Sequence, residues 1–254
     1  MSAYTTLLYL LLFALMSACS SNNESSINHK KITLSPCPPL DSNILYSDVR
    51  LQNYTYTRSK MMFMPQNLRL GGMTPFSQNR TTSTTKKGNH LHLCIDGIQH
   101  HISNENIFDY PLENGRYKLV AFIARSFYES IKEPAAILAK EITVQNGELI
   151  ASKNLQNVDL VYNAPLGTYQ EEEAQQLLLD FVLVGTTINE GGNTVKITID
   201  QETTFTVDRW QAYFIEGLTV GKHHIQLELL DATGKQIAAP THQDFVIVAA
   251  APAN

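Results

Sequence analysis

Gly88-Asn89-His90-Leu91-His92-Leu93-Cys94-Ile95-Asp96 and Gly192-Asn193-Thr194-Val195-Lys196-Ile197-Thr198-Ile199-Asp200 decide the fold of this chain. Both open on Gly-Asn, alternate for six residues and close on Ile-Asp. Strict alternation is the signature of a strand, because successive side chains leave opposite faces of a pleated backbone. The likeness continues downstream. Leu112-x-x-Gly115 answers Leu218-x-x-Gly221, and Leu119, Ala121 and Ile123 answer Ile225, Leu227 and Leu229. Pro134 answers Pro240 with one short gap between the halves. A shared order of strands and turns implies two units of one topology.

Other strand signals fall at 117–124, 177–184 and 223–230, separated by Gly, Asn, Asp and Pro. The main helical candidate, 171–176, is short. Regularly spaced short strands read as all-β, two tandem Ig-like or fibronectin-III-like sandwiches. We place them at 31–147 and 157–250, with a polar loop over 65–89.

Upstream lies a different kind of segment. Leu7 to Leu15 is an apolar run, too short to span a bilayer and right for the core of a signal peptide. Met16-Ser17-Ala18-Cys19 resembles a bacterial lipobox, although Met16 stands where Leu is usual and the first residues carry no Lys or Arg. Residues 1–18 are thus expected to be removed and Cys19 lipidated. Residues 19–30, with polar Ser20 to Ser26, form a flexible tether. Several acyl chains on one residue give stable anchoring. Ser20 after the cysteine resembles lipoproteins sorted to an outer membrane. The expected location is the cell envelope, periplasmic or surface-exposed, with the membrane as a partner through Cys19.

The 254 residues are 43% hydrophobic and 17% charged, with a net charge of −5. Without clustered Lys and Arg, nucleic acid is not a partner. With Cys19 lipidated, Cys37 and Cys94 remain, and a cysteine pair in an exported protein suggests a disulfide. It would close a loop worth about 4 kcal/mol.

Several motifs resemble a family of secreted or lipid-anchored proteins of Bacteroidetes-type bacteria. They are HLHLCIDG (90–97), LENGRYKLVAFIARSFYESIK (112–132), PLGTY (165–169), LLLDFVLV (177–184) and RWQAYFIEGL (209–218). The resemblance implies tandem Ig-like sandwiches and no settled activity. Some members bear a phosphopeptide-binding label, but no Arg cluster marks a phosphate pocket here. Tyr128 stands where relatives usually have His, and Ala164-Pro165-Leu166-Gly167 where they tend to have Arg-Pro-Lys-Gly.

His90, His92 and Cys94 share one face of their strand, which reads as the outward face. Two imidazoles at this spacing suit zinc or copper, and the second half has Thr194, Lys196 and Thr198 there instead. Against this, His-x-His is often simple polar alternation, and a disulfide would remove Cys94 as a ligand. Met61, Met62, Met64 and Met73 read as core rather than Cu(I) ligands. Trp210, Tyr213 and Phe214 read as core or inter-domain packing rather than a sugar platform. Arg125, Glu129 and Lys132 sit in a charged loop, solvated or paired at an inter-domain face. No elbow, P-loop, HExxH or paired-carboxylate motif marks an enzyme. The chain therefore reads as a non-catalytic envelope binding or scaffold lipoprotein with a protein or glycan partner and no cofactor. The alternative is a periplasmic Zn or Cu protein using His90 and His92.

Overall fold

The computed structural model describes residues 31–41, 45–75, 87–97 and 99–250. The signal peptide, Cys19 and the tether lie outside the described residues. The strands are β1 (Thr33–Pro36), β2 (Arg50–Thr57), β3 (Lys60–Gln66), β4 (His90–Ile95), β5 (Gln99–Ser103) and β6 (Ile107–Asp109). They continue as β7 (Gly115–Ala124), β8 (Ile137–Gln145), β9 (Glu148–Asn154), β10 (Asp159–Ala164), β11 (Gly167–Gln170) and β12 (Leu177–Val184). The last are β13 (Thr194–Ile199), β14 (Thr203–Val207), β15 (Tyr213–Glu216), β16 (Gly221–Leu230) and β17 (Thr241–Val248). The expected helix at 171–176 is a 3-10 turn over Glu173–Gln176.

The strands form four sheets, β2-β3-β6 with β5-β4-β7-β8-β9, and β1-β15-β12-β10 with β11-β17-β16-β13-β14. Each pair closes over its own apolar core. The protein is two tandem β-sandwiches, as the repeat predicts. Strand for strand, β2, β3 and β6 match β10, β12 and β15, while β5, β4, β7 and β8 match β14, β13, β16 and β17. Register is kept as well: His90 faces Ala124 and Ile95 faces Leu119, as Thr194 faces Leu230 and Ile199 faces Ile225.

The Asp that ends each repeat has a structural task. Asp96 and Asp200 enter their turns at φ 53 and 52, in the left-handed region a tight hairpin needs. Their carboxylates accept the backbone N–H of Lys118 at 2.7 Å and of His224 at 2.8 Å.

The edges differ between halves. β9 continues the first sandwich by a hairpin to residue 154, whereas β11 runs parallel to β17 in the second. The strand at 33–36, counted with the first half from sequence, pairs antiparallel with β15 of the second.

The sandwiches stack face to face. On β4 and β7, Leu91, Leu93, Leu119 and Ala121 point into the first core. The opposite face, with Cys94, Val120 and Phe122, packs on Val161, Val182 and Val184 of β10 and β12. Every residue of β4, β10 and β12 is consequently buried, while β13 alternates between buried and half-buried. A strand covered on both sides loses its polar phase, which is why LLLDFVLV reads as a nearly continuous apolar run. Met61 and Phe63 fill the first core, whereas Met64 and Met73 are exposed, at 39% and 52%, which corrects the expectation that both are core.

Candidate functional site

The face carrying His90, His92 and Cys94 is not open to solvent. Both histidines are 0% exposed and Cys94 is 4%. His92 stacks on Phe122 at 4.9 Å, and Phe122 belongs to the apolar seam between the sandwiches. His90 meets the Tyr128 ring at 5.0 Å, and Tyr128 packs against Ala164, Leu178 and Ala212 of the second sandwich. Thr194, Lys196 and Thr198 differ from these residues because their face is the free one, where Lys196 pairs with Glu228 at 2.8 Å. The contrast between the halves thus marks docking.

The two imidazoles lie together, ring centroids 4.8 Å apart. His90 Nδ1 donates to the Gly88 carbonyl at 2.8 Å, which leaves the lone pair on Nε2. That atom is buried without a hydrogen-bond partner among the described residues. Burial holds the His90 pKa below its usual value, against the Gly88 hydrogen bond that raises it, with nearby Lys87 lowering it further. The ring is therefore neutral and able to ligate. A third ligand is what the site lacks: among the described residues no three His, Cys, Asp or Glu side chains converge as a metal site would require.

No disulfide joins Cys37 and Cys94, contrary to expectation. Pairing of β1 with β15 carries Cys37 into a cluster with Ala164, Leu178 and Ala212, whereas Cys94 sits in the valine seam. Burial pushes the Cys94 thiol up to about 12. A thiol so reluctant to ionise is a poor nucleophile and a poor metal ligand.

The loop after β7 is buried rather than solvated. Arg125 is 2% exposed, donates to the carbonyls of Leu45 at 2.8 Å and Ser130 at 3.1 Å, and stands 3.8 Å from Glu129. Lys132 crosses to the second sandwich. Its ammonium donates to Asp180 Oδ1 at 2.5 Å, Ser130 Oγ at 2.7 Å and the Phe181 carbonyl at 2.8 Å. The other Asp180 oxygen accepts from Ser130 N at 3.1 Å and Asn163 Nδ2 at 2.7 Å. Asn163 Nδ2 also donates to the Tyr128 carbonyl at 2.7 Å. Sequence reasoning missed Asp180 and Asn163, yet the signal was present: a lone carboxylate inside LLLDFVLV has to be paired if the strand is buried.

Trp210 lies at this seam, its indole N–H donating to the Phe181 carbonyl at 3.0 Å, so it is packing rather than platform. Ser126 accepts the Thr74 N–H at 3.3 Å, and both Ser126 and Ser130 are 0% exposed, out of reach of a substrate.

Where the seam opens, a cleft of about 400 Å³ lies between the sandwiches. Asp96 and Lys118 line it from the first sandwich, and Asp159, Tyr162, His242 and Asp244 from the second. Lys118 Nζ bridges the gap to Asp159 at 2.7 Å.

No family model and no curated protein matches the chain. Among solved structures, fibronectin(III)-like modules of CbhA from Clostridium thermocellum align over 87% of this chain and 97% of theirs, at 11% identity and TM-score 0.31. A putative membrane anchored protein from Corynebacterium diphtheriae aligns over 80% of this chain and 53% of its own, at 11% identity and TM-score 0.28. SGBP-B of a Bacteroides ovatus mixed-linkage glucan utilization locus, in complex with a heptasaccharide, aligns over 86% of this chain and 71% of its own, at 10% identity and TM-score 0.22. None reaches a TM-score of 0.5, so the architecture stands on this chain's own strand order.

Proposed function

We propose that the protein is a non-catalytic binding module of the bacterial cell envelope, held on a membrane by lipidated Cys19, that takes a glycan in the cleft between its sandwiches. The observation that carries this reading is the cleft itself, built from both units and lined by carboxylates, an amine and an imidazole. Such groups suit a hydroxyl-rich ligand, which is bound by hydrogen bonds to both donors and acceptors. The apolar seam and the Lys132–Asp180 pair keep the two walls in place, which lowers the ordering cost of binding.

Two experiments test it. Metabolic labelling with a radioactive fatty acid should mark the full chain and fail to mark Cys19→Ser. Calorimetric titration with soluble envelope glycan fragments should show binding that weakens at least tenfold in Lys118→Ala. Unlabelled wild type would refute the anchor. Glycan binding untouched by Lys118→Ala, or none at all, would refute the cleft.

A second reading is favoured by one observation, the buried and unpartnered Nε2 of His90 beside the His92 ring. It is a Zn or Cu site on those two histidines. Titration with Zn²⁺ and Cu²⁺, next to the His90→Ala/His92→Ala variant, decides it. One-to-one binding lost in the variant supports the metal, and no binding in wild type removes it.

A further inference from the structure

We propose that Lys132 and Asn163 react to form an isopeptide bond that covalently staples the two sandwiches, with Asp180 as the proton-transfer group. An amine, a carboxamide and a carboxylate meet here, with the Lys132 side chain 17% exposed and the Asp180 side chain fully buried. Lys132 Nζ and Asn163 Nδ2 each sit on one oxygen of the same carboxylate, at 2.5 and 2.7 Å. Asn163 and Asp180 are 0% exposed. The Phe181 and Trp210 rings flank Nζ at 5.6 and 5.7 Å. Both acceptors of Nδ2, Asp180 Oδ2 and the Tyr128 carbonyl, fix which end of the carboxamide is nitrogen. Its oxygen is left buried with no hydrogen-bond partner, a costly state for a carbonyl.

The chemistry balances without an outside reagent. A buried ion pair is held against a large desolvation cost. One proton passing along the short contact from Nζ to Asp180 removes both charges and exposes the amine lone pair. A desolvated lysine amine is a competent nucleophile. Nζ attacks Cγ of Asn163, while Asp180 Oδ2 holds the carboxamide by its nitrogen, the atom that must leave. The Nζ–Cγ bond forms and the Cγ–Nδ2 bond breaks. Nδ2 takes the second proton of Nζ, relayed by Asp180, and leaves as ammonia. The remaining proton stays on Asp180, which closes the proton count. Holding the groups on one carboxylate makes the step intramolecular.

The internal repeat supplies a control. Ala124 and Ser130 form an isolated bridge, as do Leu230 and Gln236, so the position matching Lys132 is Ala238. The lysine belongs to the junction and not to the sandwich.

The test is a protease map by mass spectrometry of the purified full chain. The expected result is a branched peptide joining the Lys132 and Asn163 segments, lighter than its two parts by one ammonia. It should be absent from Lys132→Arg, which keeps the cation but not the amine, and whose fold is checked by circular dichroism. Wild type with both segments unlinked at full mass overturns the proposal. So does a branch lighter by one water, which would place the bond on Asp180.

Discussion

His90 shows how one buried group ties stability to pH. Its folded pKa lies below the usual 6.5 because burial penalises the charged ring. As pH falls through about 6.5, the unfolded chain takes up the proton first. The stability present above that value is then lost as pH drops toward the folded pKa, with a slope of up to about 1.4 kcal/mol per pH unit. Urea unfolding at pH 7.5 and 5.5 should show the loss in wild type and a smaller loss in His90→Phe. Equal pH dependence in the two proteins would contradict the burial. Asp200 supports a different expectation. Its carboxylate caps the turn after β13 through His224 N and also holds His223 Nδ1 at 2.7 Å. Asp200→Ala should cost about 1–3 kcal/mol in the same assay.

At the level of strands, position matters more than sequence likeness. Phe122 on β7 and Glu228 on β16 occupy the same place in the repeat. Phe122 is 0% exposed in the seam, whereas Glu228 pairs with Lys196 on a free face. Phe122→Ala should therefore lose about 3–5 kcal/mol, and Glu228→Ala no more than about 1 kcal/mol. Comparable losses would mean that the seam is not formed. The same contrast explains what was legible in advance. Alternation and turn residues gave the strands and the repeat, since both are local. The His-His-Cys face reads as outward from sequence because alternation records only that the two faces differ. What covers the second face comes from β10 and β12, distant in the chain. The long apolar run of β12, interrupted by Asp180, was the local trace of that contact. The separation of Cys37 from Cys94 is illegible for the same reason, since β1 pairs with a strand far along the chain.

For the whole molecule, the seam should couple the two sandwiches in unfolding. Trp210 is the only tryptophan, and it sits where they meet. Its fluorescence in a urea titration should follow far-ultraviolet circular dichroism along one curve, as expected of a cooperative unit. A fluorescence change at lower urea would show the sandwiches parting before either unfolds.

The free outer face of the second sandwich has a consequence for growth. A repeat that docks its neighbour through a flat sheet is a monomer capable of chain extension. The first unit places Phe122 at the centre of its docking face, where the second places Glu228, paired with Lys196. An ion pair on a sheet face disfavours the stacking of another apolar sheet there, so Glu228→Phe should promote concentration-dependent self-association, read by analytical ultracentrifugation.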